Sequence, residues 1–203
     1  MKRQILLTLV MFAALCGPAA AAPIVFTTIL TGPNEEPTNS SPGIGFATVT
    51  IDDLLHTMRV EVQFSGLLGT TTASHIHVIN GPNDANLADT NGPVATTTPS
   101  FALFPLGVTA GMLDATYNTA LASSFNPAWV TATGSVSAAE AALFAGIIGG
   151  RAYLNIHSSV FPGGEIRGFL TPQTAAVPEP ASMLLLGTGL VGAGLRRWRQ
   201  KRA

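Results

Sequence analysis

Lysine is absent from the whole stretch between residues 3 and 200, and the single cysteine, Cys16, lies close to the N-terminus. With one thiol, no disulfide can form within the chain, so the fold rests on packing alone. Residues 23–176 hold three arginines (Arg59, Arg151, Arg167) against ten acids, a net charge of −7. A domain with that field repels phosphate backbones, which excludes nucleic acid as a partner. Catalytic signatures are also missing: there is no Gly-x-Ser-x-Gly elbow, no thiol in the central region and no Gly-Lys-Ser/Thr phosphate loop. Asp52-Asp53 and Glu35-Glu36 read as turn acids, and no internal repeat is visible.

What is present is apolar material, 47% of the residues, with only 10% charged. Part of it lies at the two ends. Lys2 and Arg3 precede the apolar run Ile5 to Leu15 and the small-residue exit "GPAAAA", the three-part pattern of a secretory signal peptide over residues 1–22. Ala13, not Leu, stands three residues before Cys16, which argues against a lipoprotein. At the other end, residues 175–203 hold "VPEP", the uncharged stretch 181–195 and a basic tail. Fifteen residues span about 22 Å as a helix, short of a roughly 30 Å hydrocarbon core, so flanking residues must complete a crossing. Arg196, Arg197 and Arg199 would hold the cytoplasmic side, leaving residues 23–174 outside.

The central region alternates short strands with turn residues. The patterns predict strands over Ile24–Leu30, Gly45–Ile51, Thr57–Phe64, Ser74–Ile79, Val94–Thr98, Trp129–Thr133, Ala152–His157 and Glu165–Leu170. "MRVEVQF" shows the alternation best, with Met58, Val60, Val62 and Phe64 on one face. One helix is predicted at "SAAEAALFAG", capped by Ser137 with Glu140 and stopped by Gly146, and a weaker one over 110–121. The fold class that follows is all-β: an antiparallel β-sandwich or Greek-key barrel with one or two short helices, flanked by an N-terminal signal and a C-terminal transmembrane helix.

Alternation also sorts the polar residues. In "ASHIHVINGP", Ile76 and Val78 select the core, so His75 and His77 share the opposite face. Tyr153, Asn155 and His157 lie opposite Leu154 and Ile156 in the same way, as do Glu165 and Arg167 opposite Ile166. Side by side, these strands would gather three imidazoles, a carboxylate and a guanidinium. Two readings follow. In one, His75, His77 and His157 hold Cu or Zn, with Asn155, Glu165 and Arg167 in support. In the other they form a polar network, Glu165 pairing with Arg167 or Arg151 and Asn155 fixing the turn "SSVFPGG". His56, near a turn, reads as solvated.

Three blocks carry a family resemblance: "LTGPNEEP" leading into "GIGFATVTI", then "ASHIHVINGP…NGPV", then "AYLNIHSSVFPGGEIRGFL". In this order, over roughly Val25 to Leu170, they resemble the CHRD domain of chordin and of many bacterial exported proteins. "HVINGPND" departs from the shorter, glycine-rich turn usual there. The tail resembles the PEP-CTERM sorting signal of exopolysaccharide-producing bacteria through Pro178, Glu179 and Pro180. That resemblance implies recognition by an exosortase, a membrane protease, and a transient membrane anchor. The His-x-His on a strand is also similar to the copper site of Cu/Zn superoxide dismutase, whose disulfide and zinc ligands have no counterpart here. The expectation is an exported, non-enzymatic binding or structural module of the cell surface or exopolysaccharide matrix, its partner a protein or glycan. The alternative is a Cu or Zn protein with redox or hydrolytic activity.

Overall fold

A computed structural model describes residues 23–84, 90–173 and 200. The predicted signal peptide, the sorting motif Pro178-Glu179-Pro180, the helix 181–195 and Arg196, Arg197 and Arg199 lie outside the described residues. The central region is one antiparallel sheet of eight strands curled into a half-barrel, which bears out the all-β expectation. The strands are β1 (Ile24–Thr31), β2 (Ile44–Asp52), β3 (Thr57–Ser65), β4 (Thr71–Val78), β5 (Gly111–Asn118), β6 (Ala152–Ser158), β7 (Ile166–Phe169) and β8 (Thr171–Pro172). They run in the order β4-β6-β7-β1-β2-β3-β5, with β8 added beside β1. Among the described residues, no single helix is long and apolar enough to cross a membrane.

In β2 and β3, alternate residues enter the core and the rest face water, as the period of two requires. Ala47, Val49 and Ile51 of β2 meet Met58, Val60, Val62 and Phe64 of β3 inside. The other half of the sheet behaves differently. In β4, β6 and β7 nearly every residue is buried, so both faces are covered. The cover on β4 comes from the segment 92–101. Ala95 N–H donates to Ile76 O (3.0 Å), Phe101 N–H to Ser74 O (3.1 Å), and Ile76 N–H to the Thr96 hydroxyl (2.9 Å). The predicted strand Val94–Thr98 is thus an irregular strap with isolated bridges at Val94 and Thr96.

Three local expectations need correction. Trp129–Thr133 lies in a helix, α1 (Pro127–Thr133), not a strand. Asn126 caps it by accepting from Ala128 N–H, Pro127 sets the first turn, and Gly134 ends it at φ 85°. The predicted helix at 137–146 is α2 (Val136–Ile148), but its cap is Ser135 rather than Ser137. Glu140 makes no capping box: it is buried and accepts from the Thr119 hydroxyl, with the His56 ring 2.9 Å away. The stretch 110–121 is not helical; it forms β5, where β3 supplies a ladder and Leu113 an inward anchor. There Arg59 of β3 donates twice to Asp114, at 2.9 and 2.8 Å. Helical propensity yields to this pairing.

Candidate metal centre

The register of β4 against β6 sets the site. His75 lies opposite Asn155, His77 opposite Tyr153, and His157 opposite Ala73, two residues before His75. The three rings meet on one face, as alternation predicts: centroids are 5.5 Å apart for His75–His77, 5.0 Å for His75–His157 and 6.3 Å for His77–His157.

Each ring is oriented by a backbone carbonyl. Nε2–H of His75 donates to Pro99 O (2.7 Å), Nδ1–H of His77 to Gly92 O (2.8 Å), and Nδ1–H of His157 to Pro162 O (2.8 Å). These bonds assign the neutral tautomers and turn the second nitrogen of each ring inward. Those nitrogens, Nδ1 of His75 and Nε2 of His77 and His157, are buried and lack any hydrogen-bond partner among the described residues. They lie within 4.8 Å of one another. An ion at the centre of a triangle of at most that edge lies no more than about 2.8 Å from each donor, so inward movement of at most about 0.7 Å per ring gives metal–imidazole distances. A ligand His whose other nitrogen donates to a carbonyl is the usual outer arrangement of a metal site.

The face is not wet. His75 and His77 retain 6% and 9% of their exposure, because the strap 92–101 closes over β4. Gly92 is essential to that closure, since a Cβ there would collide with the Val78 backbone. Burial pushes the His75 pKa down to about 4; His157 lowers it further, against the opposing pull of the Pro99 carbonyl and Asn155. Burial takes His77 to about 4 as well, opposed by the Gly92 carbonyl, and it lowers His157 too. All three rings are therefore neutral near pH 7, the form a metal needs.

The supporting residues fall out differently from expectation. Arg167 does approach the histidines, its guanidinium carbon 4.7 Å from the Tyr153 ring centroid. Its carboxylate neighbour, however, is Glu35 at 3.7 Å, not Glu165. Glu35 is no turn acid: it is 4% exposed, and burial raises its pKa to about 7 against the pull of Arg167. Backbone and side-chain oxygens of Asn34, Thr90 and Asn91 hold the rest of the guanidinium. Glu165 belongs to a separate structural knot, accepting from the Ser41 hydroxyl (2.6 Å) and the N–H groups of Leu68 (2.5 Å) and Gly69 (3.2 Å). Burial works against its charge, but these bonds and one from Ser158 prevail and hold its pKa low.

Asn155 is buried beside His75, while the turn after β6 is fixed by His157 through Pro162 O. Arg151 spends its guanidinium on the carbonyls of Ile79 and Asn80. His56, at φ 51°, is half exposed and tied to Glu140 rather than simply solvated. Sequence reasoning missed Glu35 and the three orienting carbonyls. The "NEEP" block held the one available signal for Glu35; backbone carbonyls leave none.

A family model for the CHRD domain matches residues 26–170, and one for the PEP-CTERM protein-sorting motif matches residues 176–200. No curated protein and no solved structure matches the chain.

Proposed function

The chain belongs to the CHRD-domain family and carries a PEP-CTERM sorting motif, and from that premise we propose that it is an exported metal-binding module of the cell surface. The sorting motif marks it for export, C-terminal membrane anchoring and processing by exosortase, a membrane enzyme. The proposal divides the chain into a signal peptide (1–22), the domain (23–174) and a removable tail (175–203). After release the domain works at the surface or within the exopolysaccharide matrix, among extracellular proteins and glycans.

One observation carries the metal reading: three buried imidazole nitrogens converge, each without a hydrogen bond, while the opposite nitrogen of every ring is engaged. An unpaired buried acceptor costs about 1 to 3 kcal/mol, and three side by side would be a heavy penalty with nothing to offset it. A polar network would have paired them. A bound transition-metal ion satisfies all three at once, with His75, His77 and His157 as ligands and, among the described residues, no carboxylate or thiolate in the cluster. We read the module as non-enzymatic, holding the ion for storage or structure.

The test is metal analysis of the mature protein recovered from the cell surface or medium. One Cu or Zn per chain, together with a melting temperature lowered by chelator, is the expected result. Metal-free protein whose melting temperature ignores both added metal and chelator would overturn the reading in favour of the structural network.

A further inference from the structure

Resting on the metal-binding reading above, we infer that the site selects monovalent copper, held three-coordinate by Nδ1 of His75 and Nε2 of His77 and His157. The charge of the donor set is the first argument. All three donors are neutral, and no carboxylate or thiolate joins the cluster among the described residues. Glu165 is held by Ser41, Leu68 and Gly69, and Glu35 lies against Arg167 rather than in the cluster. A dication placed there would keep its full second charge in a buried site, and a monocation avoids that cost.

Coordination number is the second argument. Zn(II) takes four ligands, and with three protein histidines its fourth position is filled by water or substrate. Cu(II) favours a tetragonal set of nitrogen and oxygen donors. Here the inward nitrogens are buried from solvent, under the strap on one side and against Tyr153 on the other. Three imidazoles supply the whole trigonal shell of Cu(I), whereas Zn(II) and Cu(II) need at least a fourth ligand, which the half-buried edge at His157 would have to admit.

The position of Arg167 is the third. Its guanidinium carbon is 4.7 Å from the Tyr153 ring centroid, and the His77 ring is 4.8 Å from the same centroid. The cation is thus within about 10 Å of the His77 ring, where at intermediate dielectric each unit of charge on the ion changes affinity on the order of tenfold. Arg167 therefore weighs against the higher oxidation state, and Glu35, when ionised, weighs for it.

The experiment loads the mature exported protein with Cu(I) anaerobically, exposes it to air, and reads oxidation state by electron paramagnetic resonance and ligand number by X-ray absorption. One EPR-silent copper per chain, with three nitrogen scatterers and no displacement by a hundredfold excess of Zn(II), is the expected result. Displacement by equimolar Zn(II), or rapid conversion to a four-coordinate Cu(II) signal, would overturn the inference while leaving the metal site intact. Failure to hold either metal would instead overturn the reading on which it rests.

Two variants then test the charge argument at pH 8, where Glu35 is largely ionised. Arg167→Gln should reduce the preference for Cu(I) over Cu(II) about tenfold, a fall of about 59 mV in midpoint potential for one electron. Glu35→Gln, which keeps the packing, should raise the potential and so decides the matter even if the arginine variant fails to fold. A potential unchanged or lowered in Glu35→Gln would overturn the electrostatic role.

Discussion

His77 lies flat on Tyr153, with ring centroids 4.8 Å apart and planes 9° from parallel. The stack ties the histidine cluster to the buried Arg167, and through Arg167 to Glu35, which follows the neighbouring strand β1. Tyr153 is therefore a positioning residue for His77, held in turn by Phe169 at 5.4 Å. Tyr153→Ala should destabilise the domain by about 3 to 5 kcal/mol, the cost of deleting a buried aromatic ring. Tyr153→Phe keeps the stack and should retain most of the metal affinity. Equal losses of affinity in the two variants would show that the ring does not orient His77.

Removing one imidazole leaves an incomplete shell. His75→Ala, His77→Ala and His157→Ala should each weaken metal binding at least tenfold. In metal-free protein, His75→Ala and His77→Ala also strip Pro99 O and Gly92 O of their donors, costing about 1 to 3 kcal/mol. Thermal unfolding with copper and with chelator separates the effects: the wild type should gain more stability than any variant on adding metal.

Acid should destabilise the metal-free domain through two opposed contributions. His75 and His77 have folded pKa values near 4, below the ordinary value of 6.5, so the unfolded chain takes up protons first as pH falls through this range. Their contribution is full above about pH 6.5 and is lost toward pH 4, at most about 3 kcal/mol for each ring. Glu35 runs the other way: its folded pKa near 7 lies above 4.5, so stability rises by up to about 3 kcal/mol as pH falls from 7 to 4.5. Two histidines outweigh one glutamate. Urea midpoints in chelator should fall between pH 7 and pH 4.5, and fall more steeply in Glu35→Gln, which lacks the compensating proton uptake.

Glu165 is a structural residue, not a ligand. Glu165→Ala should cost about 3 kcal/mol or more, because Ser41 and the N–H groups of Leu68 and Gly69 lose a common acceptor. Glu165→Gln should recover part of that loss. Metal stoichiometry of the folded variant should stay at the wild-type value, and a drop would return Glu165 to the site.

Processing is separable from folding. Replacing Pro178, Glu179 and Pro180 with Ala should retain the full-length form in membrane fractions, because exosortase would no longer recognise the tail. Unchanged release into the medium would assign the cut to a different protease.

Much of this molecule was legible in its sequence because the relevant signals are local. Strict alternation put Met58, Val60, Val62 and Phe64 into the core, and the same rule put His75 and His77 on one side of β4. The sorting motif over 176–200 and the absence of lysine between residues 3 and 200 needed no structure at all. Local signals failed where neighbours overruled them: β5 looks helical until β3 offers a ladder, and Ser135 rather than Ser137 caps α2. Burial of the histidine face was not legible, because it depends on a strap some twenty residues away folding back over β4. The partnership of Glu35 with Arg167 joins opposite ends of the domain through the adjacency of β1 and β7, a contact no spacing reveals. Sequence thus determined which side chains could meet; tertiary structure decided which nitrogen of each ring faced inward, because only backbone carbonyls fixed in space could claim the other.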